Sequence, residues 1–298
     1  MGRLEAHGIQ SQSSMAIEKV RRLFTATITK WWSDNPWRLS AALSFYTLFS
    51  LAPLLMIAVG IATVVADEEA VQEELLGQLE ALMGTTGAEA LAKMLRSAGH
   101  PLYGTISTLV SLVILLFVSM GMFSELQDAL NLIWRIPRKR SSVLWRALRT
   151  QLVSFILVIC TGVFLLGSLI MRLFLSVVGK FIHWAVPWSE TIMTVVDLTA
   201  SSIVITLLFA LMFKILPEGH ITWQDVSLGA VATAALFTIG KLAIGLYVGL
   251  VAMTSVYGAA SSPMAILVWV YYSALIFFLG AEFTYVYAHE YGSRKTHR

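Results

Sequence analysis

Residues 263–288 read PMAILVWVYYSALIFFLGAEFTYVYA, an apolar run broken by one carboxylate, Glu282. An α-helix needs ~20 apolar residues to cross the hydrocarbon core of a bilayer, and this run exceeds that length. Five more runs do the same: Leu39–Ala66, Leu102–Phe123, Leu152–Val178, Ile192–Phe213 and Val226–Ala252. A soluble domain of 298 residues needs no such segment. The pattern predicts an all-α polytopic membrane protein with six transmembrane helices. The first run begins too late and runs too long for a cleavable signal, so it reads as a retained span.

Composition agrees. Hydrophobic residues make up 57% of the chain and charged residues 13%, about half the charge of an ordinary soluble domain. Mean hydropathy is +0.75. The spans leave no segment long enough for a soluble catalytic domain. The single cysteine, Cys160, lies within the third run and reads as a small apolar packing residue. No catalytic motif, metal-ligand cluster or cofactor signature appears. The six histidines, His7, His100, His183, His220, His289 and His297, are scattered.

Charge distribution sets the orientation. The N-terminal segment, the second connection, the tail and Lys214 together carry 16 basic residues, and the alternate connections carry 3. The positive-inside rule then places both termini in the cytoplasm, as an even number of spans requires. This predicts a multi-pass membrane protein with both termini on the cytoplasmic side.

The segments between the runs divide as follows. Residues 1–14 are polar and aperiodic and are expected to be disordered. Residues 15–33 carry Val20, Leu23, Phe24, Thr27, Ile28 and Trp31 at helical spacing among basic residues. They predict an amphipathic helix lying on the cytoplasmic membrane face. Residues 34–290 form the membrane domain and 291–298 a cytoplasmic tail. Within the domain, 67–100 predict an acidic external helical hairpin and 125–151 a basic cytoplasmic connection. The second span continues past its apolar run, with Leu126, Leu130, Ile133 and Trp134 at helical spacing, until Pro137 stops it.

Particular stretches resemble a known family. Asn35-Pro36 followed by Ala41-Ala42-Leu43-Ser44-Phe45-Tyr46-Thr47-Leu48-Phe49-Ser50 is similar to the opening of the YihY/BrkB family of bacterial inner-membrane proteins. Leu130-Asn131-Leu132-Ile133-Trp134, Leu216-Pro217, Trp223-Gln224-Asp225 and Gly229-Ala230 fit the same family. So does Trp269-Val270-Tyr271-Tyr272 through Gly280-Ala281-Glu282-Phe283. The resemblance implies a serum-resistance (virulence factor) phenotype and a suspected transport role. It also carries an old ribonuclease BN label. A metal-dependent nuclease needs clustered His and Asp ligands, and the scattered histidines offer none, so nuclease activity is rejected.

Ionisable and polar groups within spans are the candidates for function, because lipid makes them costly. Arg172 and Asp197 fall at equal depth on consecutive antiparallel spans and pair either as a structural clamp or as an external gate. Lys241 is the deepest charge. It shares a face with Gly245 and Gly249, with Gly240 alongside, and small residues at that spacing admit a neighbouring helix. Glu282 lies near the cytoplasmic end of the sixth span, where it either snorkels to the surface or joins Arg38, Glu125 and Asp128 in a polar inner vestibule. Ser40, Ser44 and Thr47 share a face of the first span that must meet protein or water. Pro53 is expected to kink that helix.

The first functional expectation is a gradient-driven transporter or exporter of an unidentified small solute or lipid, since no nucleotide-binding G-x-x-x-x-G-K-[ST] motif is present. The second is a structural or regulatory envelope protein that moves nothing. The partners expected are the lipid bilayer and that unknown substrate, with no nucleic acid. A homo-oligomer is possible.

Overall fold

A computed structural model describes residues 2–62, 121–137, 189–253 and 261–294, with scattered positions between 76 and 118. Side chains are described at 18–50, 121–137, 199, 202–245 and 263–294, and at those scattered positions. Among the described residues every regular element is an α-helix. In chain order these are α1 (Gly2–Ser33), α2 (Pro36–Ala62), α3 (121–133), α4 (Ser189–Ile215), α5 (Trp223–Met253) and α6 (Ser261–Glu290).

Two helix ends are set by residues in the left-handed backbone region. Asn35, at φ 54°, ends α1. Its amide donates to the Trp32 carbonyl, and its own carbonyl accepts from Arg38 and Leu39, so one residue closes α1 and opens α2. Asparagine tolerates that backbone, and Pro36 at the first helical position removes an amide that would have no partner. Arg135, at φ 53°, ends α3. Its amide donates to Leu132 and the Ile136 amide to Asn131, the paired bonds of a Schellman ending.

Helix α6 is the hub, packing against α1, α2 and α5, while α4 packs on α5. The crossing of α5 and α6 is reciprocal. A Cβ on Gly229 would lie 1.8 Å from Thr284 Oγ1, and one on Gly280 2.0 Å from Thr233 Oγ1. Each threonine sits over the partner helix's glycine and turns its hydroxyl back to its own helix. Thr233 donates to the Gly229 carbonyl at 2.6 Å and Thr284 to the Gly280 carbonyl at 2.7 Å. Two Gly-x-x-x-Thr segments thus bring the backbones close without leaving a buried hydroxyl unpaired.

The packed core lies at the end of the bundle where α3 stops, referred to below as the α3 end. There Leu126, Leu130, Ile133 and Trp134 meet Phe213, Leu216, Phe277 and Phe278. The flanks differ. Ile203 and Leu207 on α4, and Leu228, Val231, Ile239 and Leu242 on α5, are exposed. Leu228, Val231, Ile239 and Leu242 follow helical spacing, so α5 turns an apolar stripe outward, as lipid contact requires. Trp223–Gly245 and Pro263–Glu290 are each long and apolar enough to cross a membrane, with hydropathies of 1.7 and 2.1.

Helix α1 is described from Gly2, so it takes in most of the polar 1–14 segment together with the amphipathic stretch that follows. Residues 3–16 contain no proline, and extending an existing helix avoids a second nucleation cost. The helix of α2 continues through Pro53 to Ala62. The hairpin expected over 67–100 falls mostly outside the described residues, as does all of 138–151.

Candidate functional site

The first turns of α2 and the exposed side of α3 enclose an open cleft of about 550 Å³. Arg38 lines it from α2, and Glu125 and Asp128 from α3, with Leu39, Ala42 and Leu132 as apolar wall. Glu125 and Asp128 are three residues apart and share a helix face. A cation in the first turn of a helix works against the helix dipole. The placement of Arg38 therefore owes nothing to the dipole of α2, and Glu125 and Asp128 line the same cleft.

A separate group of charged residues is largely buried. Asp34, in the α1–α2 turn, accepts from Arg135 Nη2 through Oδ1 at 2.8 Å. Asp34 is 8% exposed and Arg135 45%, so the pair reaches from the interior to the surface. Glu282 is 1% exposed. Both of its carboxylate oxygens and Asp34 Oδ2 are buried without a hydrogen-bond partner. The charged groups acting on Glu282 are Asp34, Lys30 and Arg135. Lys30 Nζ rests over the Tyr285 ring, 3.5 Å from its centroid. Tyr285 also meets the Trp134 edge at 5.6 Å.

A second buried carboxylate is fully engaged. Asp225, in the first turn of α5, is 2% exposed. It accepts from Thr222 Oγ1 at 2.7 Å, from Ser293 Oγ at 2.5 Å and from the Ser293 amide at 3.3 Å. Thr222 and Asp225 stand at the two positions of a capping box. Arg294 Nη2 donates to the His220 carbonyl at 2.8 Å and its guanidinium lies 5.3 Å from the Trp134 ring centre. The residues after α6 are thereby tied to the start of α5.

Helix α3 also holds the α4–α5 turn. Gln127 Nε2 donates to the Leu216 carbonyl at 3.1 Å, and Asn131 Oδ1 accepts from the Glu218 amide at 2.9 Å. Lys214 Nζ donates to the Ile221 carbonyl across the same turn.

Arg38, Glu125 and Asp128 are thus brought together in one cleft. Glu282 lies apart from them, in the cluster with Asp34. The surface route expected for Glu282 is closed, because α6 is covered by α1, α2 and α5. The hydroxyls of α2 mostly serve their own helix. Ser44 donates to the Ala41 carbonyl, and Thr47 to that of Leu43 with Met122 Sδ at 3.5 Å. Lys241 is half-buried on α5. Of its small neighbours, Gly240 faces Ile276 of α6 within 2.2 Å of a would-be Cβ, whereas Gly245 has nothing within 4 Å. Close approach of α5 to α6 thus runs through Gly229 and Gly280, with Gly240 also against α6. Arg172 and the side chains of Asp197 and Gly249 lie outside the described residues. Asp34, Asp225 and the Gly/Thr crossing were missed. Thr222-x-x-Asp225 and the repeated Gly-x-x-x-Thr were the signals in the sequence for the last two.

Residues 27–298 match the family model described as virulence factor BrkB. A UPF0761 membrane protein of Ralstonia nicotianae is 26% identical over 89% of this chain and 58% of its own length. One from Rhodospirillum centenum is 25% identical over 86% and 55%, and one from Alteromonas mediterranea 26% over 89% and 87%. The chain spans little more than half the length of the first two. No solved structure matches it.

Proposed function

The chain belongs to the virulence factor BrkB family of membrane proteins, and we propose from that premise that it is a gradient-driven transporter of a small solute or lipid whose inner vestibule is the cleft of Arg38, Glu125 and Asp128. In this reading the chain has six spans, sits in the bacterial inner membrane and keeps both termini in the cytoplasm. The α3 end of the bundle is then the cytoplasmic end. The basic bias of the connections there supports that orientation.

The observation that carries the reading is the cleft. It sets one cation against two carboxylates beside an apolar wall, a lining suited to a solute with charged and apolar parts. Energy would come from an ion or solute gradient, since the sequence carries no phosphate-binding loop.

Lipid and metabolite profiling of a strain lacking the gene tests this. The deletion is expected to accumulate a compound that the wild-type gene clears. Arg38→Gln, and Glu125→Gln combined with Asp128→Asn, are expected to fail to clear it while reaching normal levels in the membrane. Full complementation by both variants removes the cleft from the pathway. An unchanged profile in the deletion, with no flux in reconstituted vesicles, favours a non-transporting envelope role.

A further inference from the structure

Glu282 stands out among the described residues. An ionised carboxylate taken out of water needs hydrogen-bond donors or a cation. Glu282 has neither within bonding distance, although it is 1% exposed. Asp34 Oδ2 is in the same condition, while its Oδ1 is held by Arg135. Three buried acceptor oxygens therefore lack a donor, on two carboxyls that act on each other.

We propose that Asp34 and Glu282 form a proton-binding site, holding one proton between Glu282 and Asp34 Oδ2, with Lys30 as the countercharge that takes the proton's place when it leaves. Protonation forms one O–H bond on Glu282, and that hydroxyl donates to Asp34 Oδ2. Two of the three unpartnered oxygens are then satisfied by one proton. Release breaks the same bond, passes the proton to water and leaves an anion on Glu282. Lys30 is already poised for it. It lies on the ring of Tyr285, one helical turn from Glu282, rather than against a carboxylate. Among the described residues, the charged groups acting on Glu282 besides Asp34 are Lys30 on α1 and Arg135 at the end of α3. His289 is turned to the Tyr285 carbonyl at 2.8 Å. A metal cation would want a fuller oxygen shell than this, beside two positive charges already present, so the proton is the cation that fits.

This inference deepens the transport reading by naming the driving ion, but its test does not depend on flux. The full chain in lipid vesicles is titrated with acid and base while infrared difference spectra follow carboxyl protonation. A protonated-carboxyl absorption is expected that titrates away, is absent in Glu282→Gln and is displaced in Asp34→Asn. Lys30→Met is expected to move its midpoint to higher pH, because the ionised form loses its countercharge. If Glu282→Gln fails to insert, the other two variants still read the site. An absorption that survives Glu282→Gln, or that ignores both Asp34→Asn and Lys30→Met, overturns the proposal. So does a signal controlled by sodium at fixed pH with no response to pH. Proton uptake without flux would sink the transport reading alone, and flux without the carboxyl signal would sink this one alone.

Discussion

Asp225 and Glu282 are both buried carboxylates in helices long and apolar enough to cross a membrane, and their surroundings could hardly differ more. Asp225 takes three hydrogen bonds, from Thr222 and Ser293, and sits in the first turn of α5, where the helix dipole favours an anion. Glu282 takes none. The first is a fastener that joins the start of α5 to the chain beyond α6. The second contributes nothing visible to holding the fold, and its burial stays uncompensated until something arrives. Burial alone does not identify a working residue; the state of its hydrogen bonds does.

The comparison can be broken by substitution. Asp225→Ala is expected to show the largest loss of stability, about 3 kcal/mol, because it deletes a charged acceptor from three bonds at once. Thermal unfolding in detergent reads this, and limited proteolysis beyond Glu290 should show the tail released. Gly292→Ala comes next, at about 2 kcal/mol, through overpacking. Its new Cβ would lie 2.1 Å from Asp225 Oδ1 and 2.8 Å from the Ala288 Cα. Arg135→Met is expected to cost about 1 kcal/mol. The guanidinium is half-exposed and its attraction is screened, but Asp34 loses a charged donor. Asp34→Asn in the same chain should recover part of that loss. Glu282→Gln is expected to change stability least, within about 0.5 kcal/mol, since the amide can donate to Asp34 Oδ2 where the protonated carboxyl did. Should it destabilise the protein as much as Asp225→Ala, the contrast between the two carboxylates disappears.

Much of the architecture could be read from the sequence because lipid imposes long apolar runs. The apolar runs beginning at Val226 and Pro263 lie within α5 and α6, and Pro137 lies just past the end of α3. Arg38, Glu125 and Asp128 could be grouped because all three border a span at the same level. Glu282 was visible as a charge in an apolar run. Its burial was not, because that depends on α1, α2 and α5 covering α6. Asp34 carries no signal of its own in the sequence, and only the approach of Arg135, 101 positions along the chain, gives it a role. The glycines beside Lys241 had the spacing of a packing face. The tighter crossing uses Gly229 and Gly280, where the facing threonines leave room only for hydrogen. A run of small residues reports that close approach is permitted, and the partner helix decides where it occurs.

The central claim is that the polar cleft at the α3 end opens to the cytoplasm. Leu132 lines that cleft and is exposed, so it can carry a reporter. In a chain freed of its single cysteine by Cys160→Ser, Leu132→Cys should react with a membrane-impermeant maleimide in inside-out vesicles and stay unlabelled in intact cells. Labelling from outside intact cells, with none in inside-out vesicles, would contradict both the orientation and the vestibule.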